Sequence, residues 1–541
     1  MYMRKLTQQV VTNFDDPVAQ TKAGKVRGSK VEGTYIFRGI KYADAERFRQ
    51  PQPVQPWEGV KPAIEFGYVA PEINTPIPHD QFYVPHYFYP QNEHCQYLNI
   101  WTQSLDKDHK RPVMVWLHGG GWFSGSSIEI YSYDGENLSQ FGDVVVVSIN
   151  HRLNVLGYLD LSEYGEEYAN SGNAGLADMV AALHWVRDNI ENFGGDPDRV
   201  MIFGQSGGGM KVLSMLQTPA ADGLFHAAVM QSGGSQGKFE ADYVQERKDR
   251  QLFAKLLLER LNIAPEKVKD IETVDWYDLA QATAEVTWVF NNELGKRANW
   301  GPIADGSYYM GHAAAVGFRE ESKHIPMMVG TVLGEFSNNY NVKIGEGSKN
   351  HWSEEYKLQM IREQFGDKAD DFIETFKNAY PDRNIADVLY MAMSSRRGSI
   401  EFSKIRAAQE GAAPIYNWLF NLEATFMDGT MPWHNAEEPY VFHNAEYIEA
   451  QYEPEVSEKL QDIMATAWIR FAETGNPNHP GMPEWPPVKA DSCPTMLFDR
   501  ICDVRTDHDY DLVCLEAPPS SRAFPGSGIM AAIFGIEPEK R

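Results

Sequence analysis

A short, β-branched apolar run that empties into a polar or glycine-rich turn recurs along this chain and limits its fold more than any other feature. Val113-Met114-Val115-Trp116-Leu117 runs into His118-Gly119-Gly120-Gly121. Residues 144–149 run into Asn150-His151-Arg152, and Val200-Met201-Ile202-Phe203 runs into Gly204-Gln205-Ser206-Gly207-Gly208-Gly209. Residues 326–329 and 414–420 repeat the pattern, the second leading to a loop with Pro432-Trp433-His434. Strands this apolar are buried on both faces, which requires a parallel sheet covered by helices. Leu176, Met179, Val180, Leu183, Val186 and Ile190 recur at helical spacing over 173–192. The expected fold class is therefore α/β, a central and mostly parallel β-sheet flanked by helices.

No repeat, low-complexity tract or Pro/Ser-rich linker divides the chain. Between 238 and 411 the pattern turns mainly helical, with amphipathic stretches at 252–261 and 356–376. Strand-like segments resume at 326 and 414, so this region reads as a helical insertion within one domain spanning 17–520. In an open α/β sheet such an insertion caps the strand ends where ligands sit.

Charge narrows the partners. Lys plus Arg is 49 against 75 Asp plus Glu, a formal net charge of −26. A surface this acidic repels phosphate backbones and gains nothing from anionic lipid, so neither nucleic acid nor a membrane surface is an expected partner. The longest apolar runs fall far short of the roughly 20 residues that cross a bilayer. The first nine residues hold no apolar stretch of signal-peptide length, and the last five carry no lipidation or retention signal. With 4 Cys in no metal-ligand spacing, a cytoplasmic protein with reduced thiols is the expectation.

Gly204-Gln205-Ser206-Gly207-Gly208 fits G-x-S-x-G, with a strand-like run before it and a helical segment, 210–216, after it. The glycines suit a tight strand-to-helix turn that exposes a strained serine. A phosphate-binding glycine loop is the alternative, but no G-x-G-x-x-G or G-K-[ST] is present. A serine that attacks acyl groups also needs donors for the oxyanion. His118-Gly119-Gly120-Gly121-Trp122 supplies consecutive unhindered N–H groups after a neighbouring strand, and the Gly207 N–H adds a third donor to those of Gly120 and Gly121.

With these motifs the chain resembles the type-B carboxylesterases, the cholinesterase-like branch of the α/β-hydrolases, and within them the bacterial para-nitrobenzyl-esterase types. The matching blocks run in order almost end to end. They include Phe37-Arg38-Gly39-Ile40-Lys41-Tyr42-Ala43, Cys95-Gln96-Tyr97-Leu98-Asn99-Ile100-Trp101 and Asn173-Ala174-Gly175-Leu176-Ala177-Asp178. Gln231-Ser232-Gly233, Pro302-Ile303-Ala304-Asp305-Gly306 and Phe471-Ala472-Glu473-Thr474-Gly475-Asn476-Pro477 follow.

The resemblance implies a serine carboxylesterase acting on small-molecule esters through an acyl-enzyme, with no metal or organic cofactor; oligomeric state stays open. It assigns Ser206 as nucleophile, Glu335 as acid and His434 as base, in the chain order of this fold. Asp305 is the rival acid, which the same resemblance gives to a packing turn, and Ser232 is implied as a support to the acid. Trp122, beside the oxyanion glycines, is expected to restrict bulk at the reacting carbonyl. Three departures stand out. Gln205 replaces the usual Glu and removes a charge beside the nucleophile. Gly207 replaces the usual Ala, with little consequence expected. Cys95 lacks a partner for the family's first disulfide. Where cholinesterases hold a quaternary ammonium over a Trp ring, this chain has Pro85, so neutral short-chain or aryl esters are the expected substrates. Phe82, Tyr83, Tyr87, Phe88 and Tyr89 are candidates for an aromatic entrance. A lipase, feruloyl-type esterase or amidase on the same frame remains open. So does a non-catalytic cholinesterase-like adhesion protein, which the three intact positions disfavour.

Overall fold

In a computed structural model, the chain is described at residues 10–14, 16–73, 84–235, 237–336 and 347–516. Both chain ends, on which the cytoplasmic expectation rests, and the aromatics Phe82 and Tyr83 lie outside those residues.

The central sheet has twelve strands: β1 (Val10–Val11), β2 (Ser29–Val31), β3 (Thr34–Lys41), β4 (Tyr97–Thr102), β5 (Arg111–Leu117), β6 (Val145–Ile149), β7 (Gly195–Gln205), β8 (Ala227–Gln231), β9 (Met327–Val332), β10 (Ile415–Phe420), β11 (Pro494–Phe498) and β12 (Asp503–Thr506). Their spatial order is β1-β2-β3-β4-β6-β5-β7-β8-β9-β10-β11-β12. From β6 to β11 every neighbouring pair is parallel. β1 to β4 on one side and β12 on the other are antiparallel additions. The parallel centre is the part announced by the apolar runs. The flanking strands alternate or carry polar residues, as strands nearer an edge do.

Alternation along β5 separates two cores. Val113, Val115 and Leu117 face one hydrophobic cluster with α1 (Ala174–Asn189) and α2 (Gly207–Leu216). Met114 and Trp116 face the other, with Leu460, Met464 and Trp468 of the later helix Val456–Thr474. Both faces are thus covered by helices, and the sheet is the middle of three layers.

After β8, α3 (Tyr243–Arg260) and α4 (Trp276–Asn292) pair through Phe253, Leu257, Leu279 and Phe290 and rest on Val155, Leu156 and Leu159. α3 starts before the apolar stretch because the Asp242 carboxylate accepts the Gln245 N–H at 2.9 Å and fixes its N-terminus. The amphipathic stretch at 356–376 forms two helices, α5 (Glu354–Phe365) and α6 (Ala369–Ala379). Gly366 divides them at φ +54°, a left-handed position that stops a helix.

Candidate active site

Ser206 stands between the end of β7 and the first residue of α2 at φ 56°, ψ −122°. A non-glycine residue in such a region costs about 1–3 kcal/mol and persists only where its surroundings hold it. Here the Ser206 N–H donates to the Gln231 carbonyl at 2.8 Å, and the Ser206 carbonyl accepts the Met210 N–H at 3.1 Å. The adjoining glycines are required by proximity. A Cβ on Gly208 would lie 1.9 Å from the Leu117 carbonyl oxygen, and one on Gly204 would lie 2.5 Å from it.

Glu335 follows β9 and His434 follows β10, on loops that meet in an isolated parallel bridge between Glu335 and Trp433. The His434 N–H donates to the Glu335 carbonyl at 3.0 Å. The His434 Nδ1–H donates to Glu335 Oε2, which fixes the imidazole tautomer because a carboxylate only accepts. Nε2 is thereby left with a free lone pair, buried and without a partner among the described residues. Glu335 Oε1 accepts the Ser232 hydroxyl at 2.7 Å and the Val332 N–H at 3.2 Å. Ser232 directly follows Gln231, the residue that holds the Ser206 N–H. One hydrogen-bonded path thus connects the serine turn, the carboxylate and the imidazole at the same end of the parallel strands.

The glycine loop after β5 lies against the serine turn. A Cβ on Gly119 would be 3.6 Å from Ser206 Cβ. Gly120 and Gly121 adopt φ +75° and +63°, and their N–H groups have no acceptor among the described residues. The expectation for Gly207 needs correction. Its missing side chain has a steric consequence, since a Cβ there would lie 2.3 Å from Gly121 N and 2.4 Å from Gly121 O. The loop occupies the space a methyl group would fill. Trp122 is buried, edge-on to Tyr158 at 5.3 Å, with Gly301 packed against its indole.

Several charged groups around the site escaped the sequence reading. Glu437 is fully buried, and its Oε1 accepts the Gln231 amide at 3.1 Å, while Gln231 Oε1 accepts the Trp468 indole N–H at 3.2 Å. Burial pushes the Glu437 carboxyl up to about 7, with the nearby Glu335 adding in the same direction. Burial holds Glu438 well above the carboxylate range as well. The doubled Glu437-Glu438 beside Pro439 was the available signal, two adjacent acids next to an apolar helix start. Lys211 on α2 is also fully buried, and its ammonium is pushed down to about 7 by burial, with Glu129 acting the other way. A lysine among Met210, Val212 and Leu213 could have marked it.

The remaining sequence candidates fall as follows. Asp305 Oδ1 accepts the N–H groups of Ser307 (2.8 Å), Tyr308 (2.7 Å) and Tyr309 (3.3 Å), the role of a turn residue. Gln205 is buried, with its Nε2 unpaired. Tyr87 stacks on Tyr131 at 4.0 Å, and with Tyr89, Tyr131 and Tyr133 it lines a cavity of about 620 Å³. Phe88 points to solvent. The four cysteines are free thiols. Among the described residues no cluster of His, Cys, Asp and Glu could hold a metal ion, and no helix is long and apolar enough to cross a membrane.

A serine at a strained strand-to-helix turn, on a mostly parallel sheet with helices on both faces, defines a hydrolase of the α/β-hydrolase fold. The chain belongs to the carboxylesterase family, whose sequence model matches residues 15–508, and it is a serine carboxylesterase, a carboxylic ester hydrolase. It is 29% identical to the para-nitrobenzyl esterase of Bacillus subtilis, over 97% of this chain and all of that protein. It is 30% identical to the phenmedipham hydrolase of Pseudarthrobacter oxydans, over 88% of this chain and 93% of that one. Among solved structures, an esterase from the anaerobe Clostridium hathewayi, described as able to hydrolyse aliphatic aromatic polyesters, superimposes with a TM-score of 0.86 at 45% identity. The match covers 93% of this chain and 98% of that one.

Proposed function

We propose that Ser206, His434 and Glu335 form the catalytic triad of this esterase and that Gly120, Gly121 and Gly207 donate to the oxyanion. The observation that carries this reading is the Glu335–His434 pair, which leaves Nε2 of the imidazole as an unpaired base at the end of the parallel strands that also carries the serine turn. His434 takes the Ser206 proton as the hydroxyl oxygen attacks the ester carbonyl. Glu335 keeps the imidazole oriented and stabilises its protonated form. The three backbone N–H groups hold the tetrahedral oxyanion, the alcohol departs with the proton returned by His434, and water deacylates Ser206 by the same route. Ser232 supports the acid. Residues 17–520 act as one catalytic unit, with 238–411 as an insertion within it, in a bacterial cytoplasmic enzyme.

The substrates are neutral short-chain or aryl esters. Gln205 brings no negative charge beside the nucleophile, and Pro85 stands where cholinesterases hold a quaternary ammonium over a Trp ring. The 45%-identical polyester-cleaving relative is consistent with aryl acyl groups. An organophosphate is expected to label Ser206 alone. Comparing kcat/KM for butyrylcholine with a neutral butyrate ester of similar leaving-group acidity tests the specificity. Label on another serine, or a tenfold preference for the choline ester, contradicts the respective half of the proposal.

A further inference from the structure

Lys211 lies on the second turn of α2, one turn past Gly207, and its side chain leans back toward the start of the helix, as side chains on a helix do. That lean carries Nζ under the glycine loop. It donates to the His118 carbonyl at 2.7 Å and to the Gly119 carbonyl at 3.3 Å. Among the described residues no carboxylate lies within ion-pair distance of Nζ. Burying an ammonium without a close counter-ion carries a large desolvation penalty, so its retention in a core otherwise filled by Val212, Leu213 and Met215 calls for a local return.

The groups facing Nζ are few. Glu129 supplies the nearest opposing charge, and the His118 and His151 rings stack at 5.0 Å beside it, both held neutral by burial and by the lysine itself. The Trp122 ring centroid is 5.9 Å away. The His118 Nδ1–H donates to the same Gly119 carbonyl at 2.9 Å. Two donors therefore converge on one end of the peptide linking Gly119 to Gly120. The other end of that peptide is the Gly120 N–H.

We propose that Lys211 is a positioning residue for the oxyanion site: by gripping the carbonyls of His118 and Gly119 it fixes the glycine loop and polarises the peptide whose N–H, at Gly120, faces the oxyanion. A donor on a carbonyl draws electron density toward oxygen and strengthens the N–H across the same amide, as in any chain of hydrogen bonds in a low-dielectric interior. The effect is realised when charge develops on the substrate oxygen, so it belongs to the transition state rather than to ground-state binding. This inference rests on the assignment of Gly120 as an oxyanion donor.

Lys211→Met keeps the side-chain length without a donor, and Lys211→Gln restores an uncharged one. Deleting a whole oxyanion donor costs about 10²–10³ in kcat, so weakening one is expected to cost Lys211→Met about tenfold or more. KM should stay within about twofold, because the interaction forms only in the transition state. The Ki of an aryl trifluoromethyl ketone, whose hemiketal on Ser206 carries the oxyanion, should rise in parallel with the loss of kcat. Lys211→Gln should recover part of both. A Lys211→Met protein with wild-type near-ultraviolet circular dichroism and unchanged kcat and Ki overturns the inference, as does failure of both variants to fold, which would make Lys211 a core residue only. If the unaltered enzyme forms no hemiketal on Ser206, the nucleophile assignment fails instead, so the two readings are separable.

Discussion

Ser232 and Glu335 share a hydrogen bond of 2.7 Å that occupies one carboxylate oxygen and leaves the other to His434. Both residues sit at positive φ, 47° and 45°, so two strained turns at the ends of neighbouring strands face each other through this contact. The serine hydroxyl thereby sets which lone pair of the acid meets the imidazole.

Ser232→Ala removes a hydrogen bond to a charged group, an interaction worth about 1.5–3 kcal/mol. Part of that loss should appear in the transition state, where the imidazolium needs a well-oriented carboxylate. The expected outcome is a kcat about tenfold lower with little change in KM. Steady-state kinetics on an aryl acetate measure it; an unchanged kcat would show that Glu335 is held well enough by the Val332 N–H alone.

Replacement of the proposed triad members should be far more severe. Ser206→Ala and His434→Ala are each expected to lower kcat by about 10⁶, and their double variant by little more, because the members act as a unit. Glu335→Gln keeps the shape but offers an N–H where an acceptor is needed, with an expected loss of about 10⁴. Near-normal turnover in any of these proteins would sink the assignment.

Glu437 gives a pH-dependent stability with a definite sign. Its folded-state value of about 7 lies above the ordinary glutamate value of 4.5, so the folded state binds the proton more tightly than the unfolded chain. The resulting stabilisation is complete below about pH 4.5 and is lost as the pH rises toward 7, with no further change above that. Glu437→Gln, which stays neutral, should therefore gain on the wild type by about 3 kcal/mol across that window. Urea unfolding of both proteins at half-unit pH steps reads the difference directly. A gap that stays constant with pH would mean that Glu437 is ionised throughout.

Thiol chemistry should divide the cysteines in two ways. In denaturant without reductant all four should titrate, since none is paired. In the native protein Cys95 and Cys493 should resist a disulfide reagent, because both are buried and burial pushes their thiols up, Cys493 to about 11. Cys514, half-buried, should react first. Two thiols missing in denaturant would establish a disulfide and an oxidising compartment.

The glycine runs and the serine turn were legible in the sequence because their chemistry is local. A G-x-S-x-G after a continuous apolar strand has few structural solutions, and Gly119-Gly120-Gly121 after the adjacent strand fits the same end of the sheet. Glu335 and His434 were found differently, through chain order and family resemblance, since a lone carboxylate on a loop announces nothing. β3 and β4 escaped the parallel-sheet reading because their faces are not uniformly apolar. The amphipathic stretch 356–376 gave no sign of its break into α5 and α6, because the apolar spacing continues across Gly366. Lys211, Glu437 and Glu438 were missed for a physical reason. Their importance lies in burial, and burial arises from segments brought together by the fold: β5 against α2, and the loop after β10 against β8.

The space beneath Gly121 ties two distant parts of the chain into one inherited choice. Once a loop has settled into the volume that a methyl group at 207 would claim, alanine can return only if residues 119–121 shift at the same moment. The two segments are then epistatic: alanine at 207 is damaging with the glycine loop as it stands and tolerable only with a loop that leaves the methyl group room. Anyone grafting the nucleophile motif of a related esterase onto this one, or recombining the two genes between β5 and β7, should move both segments together.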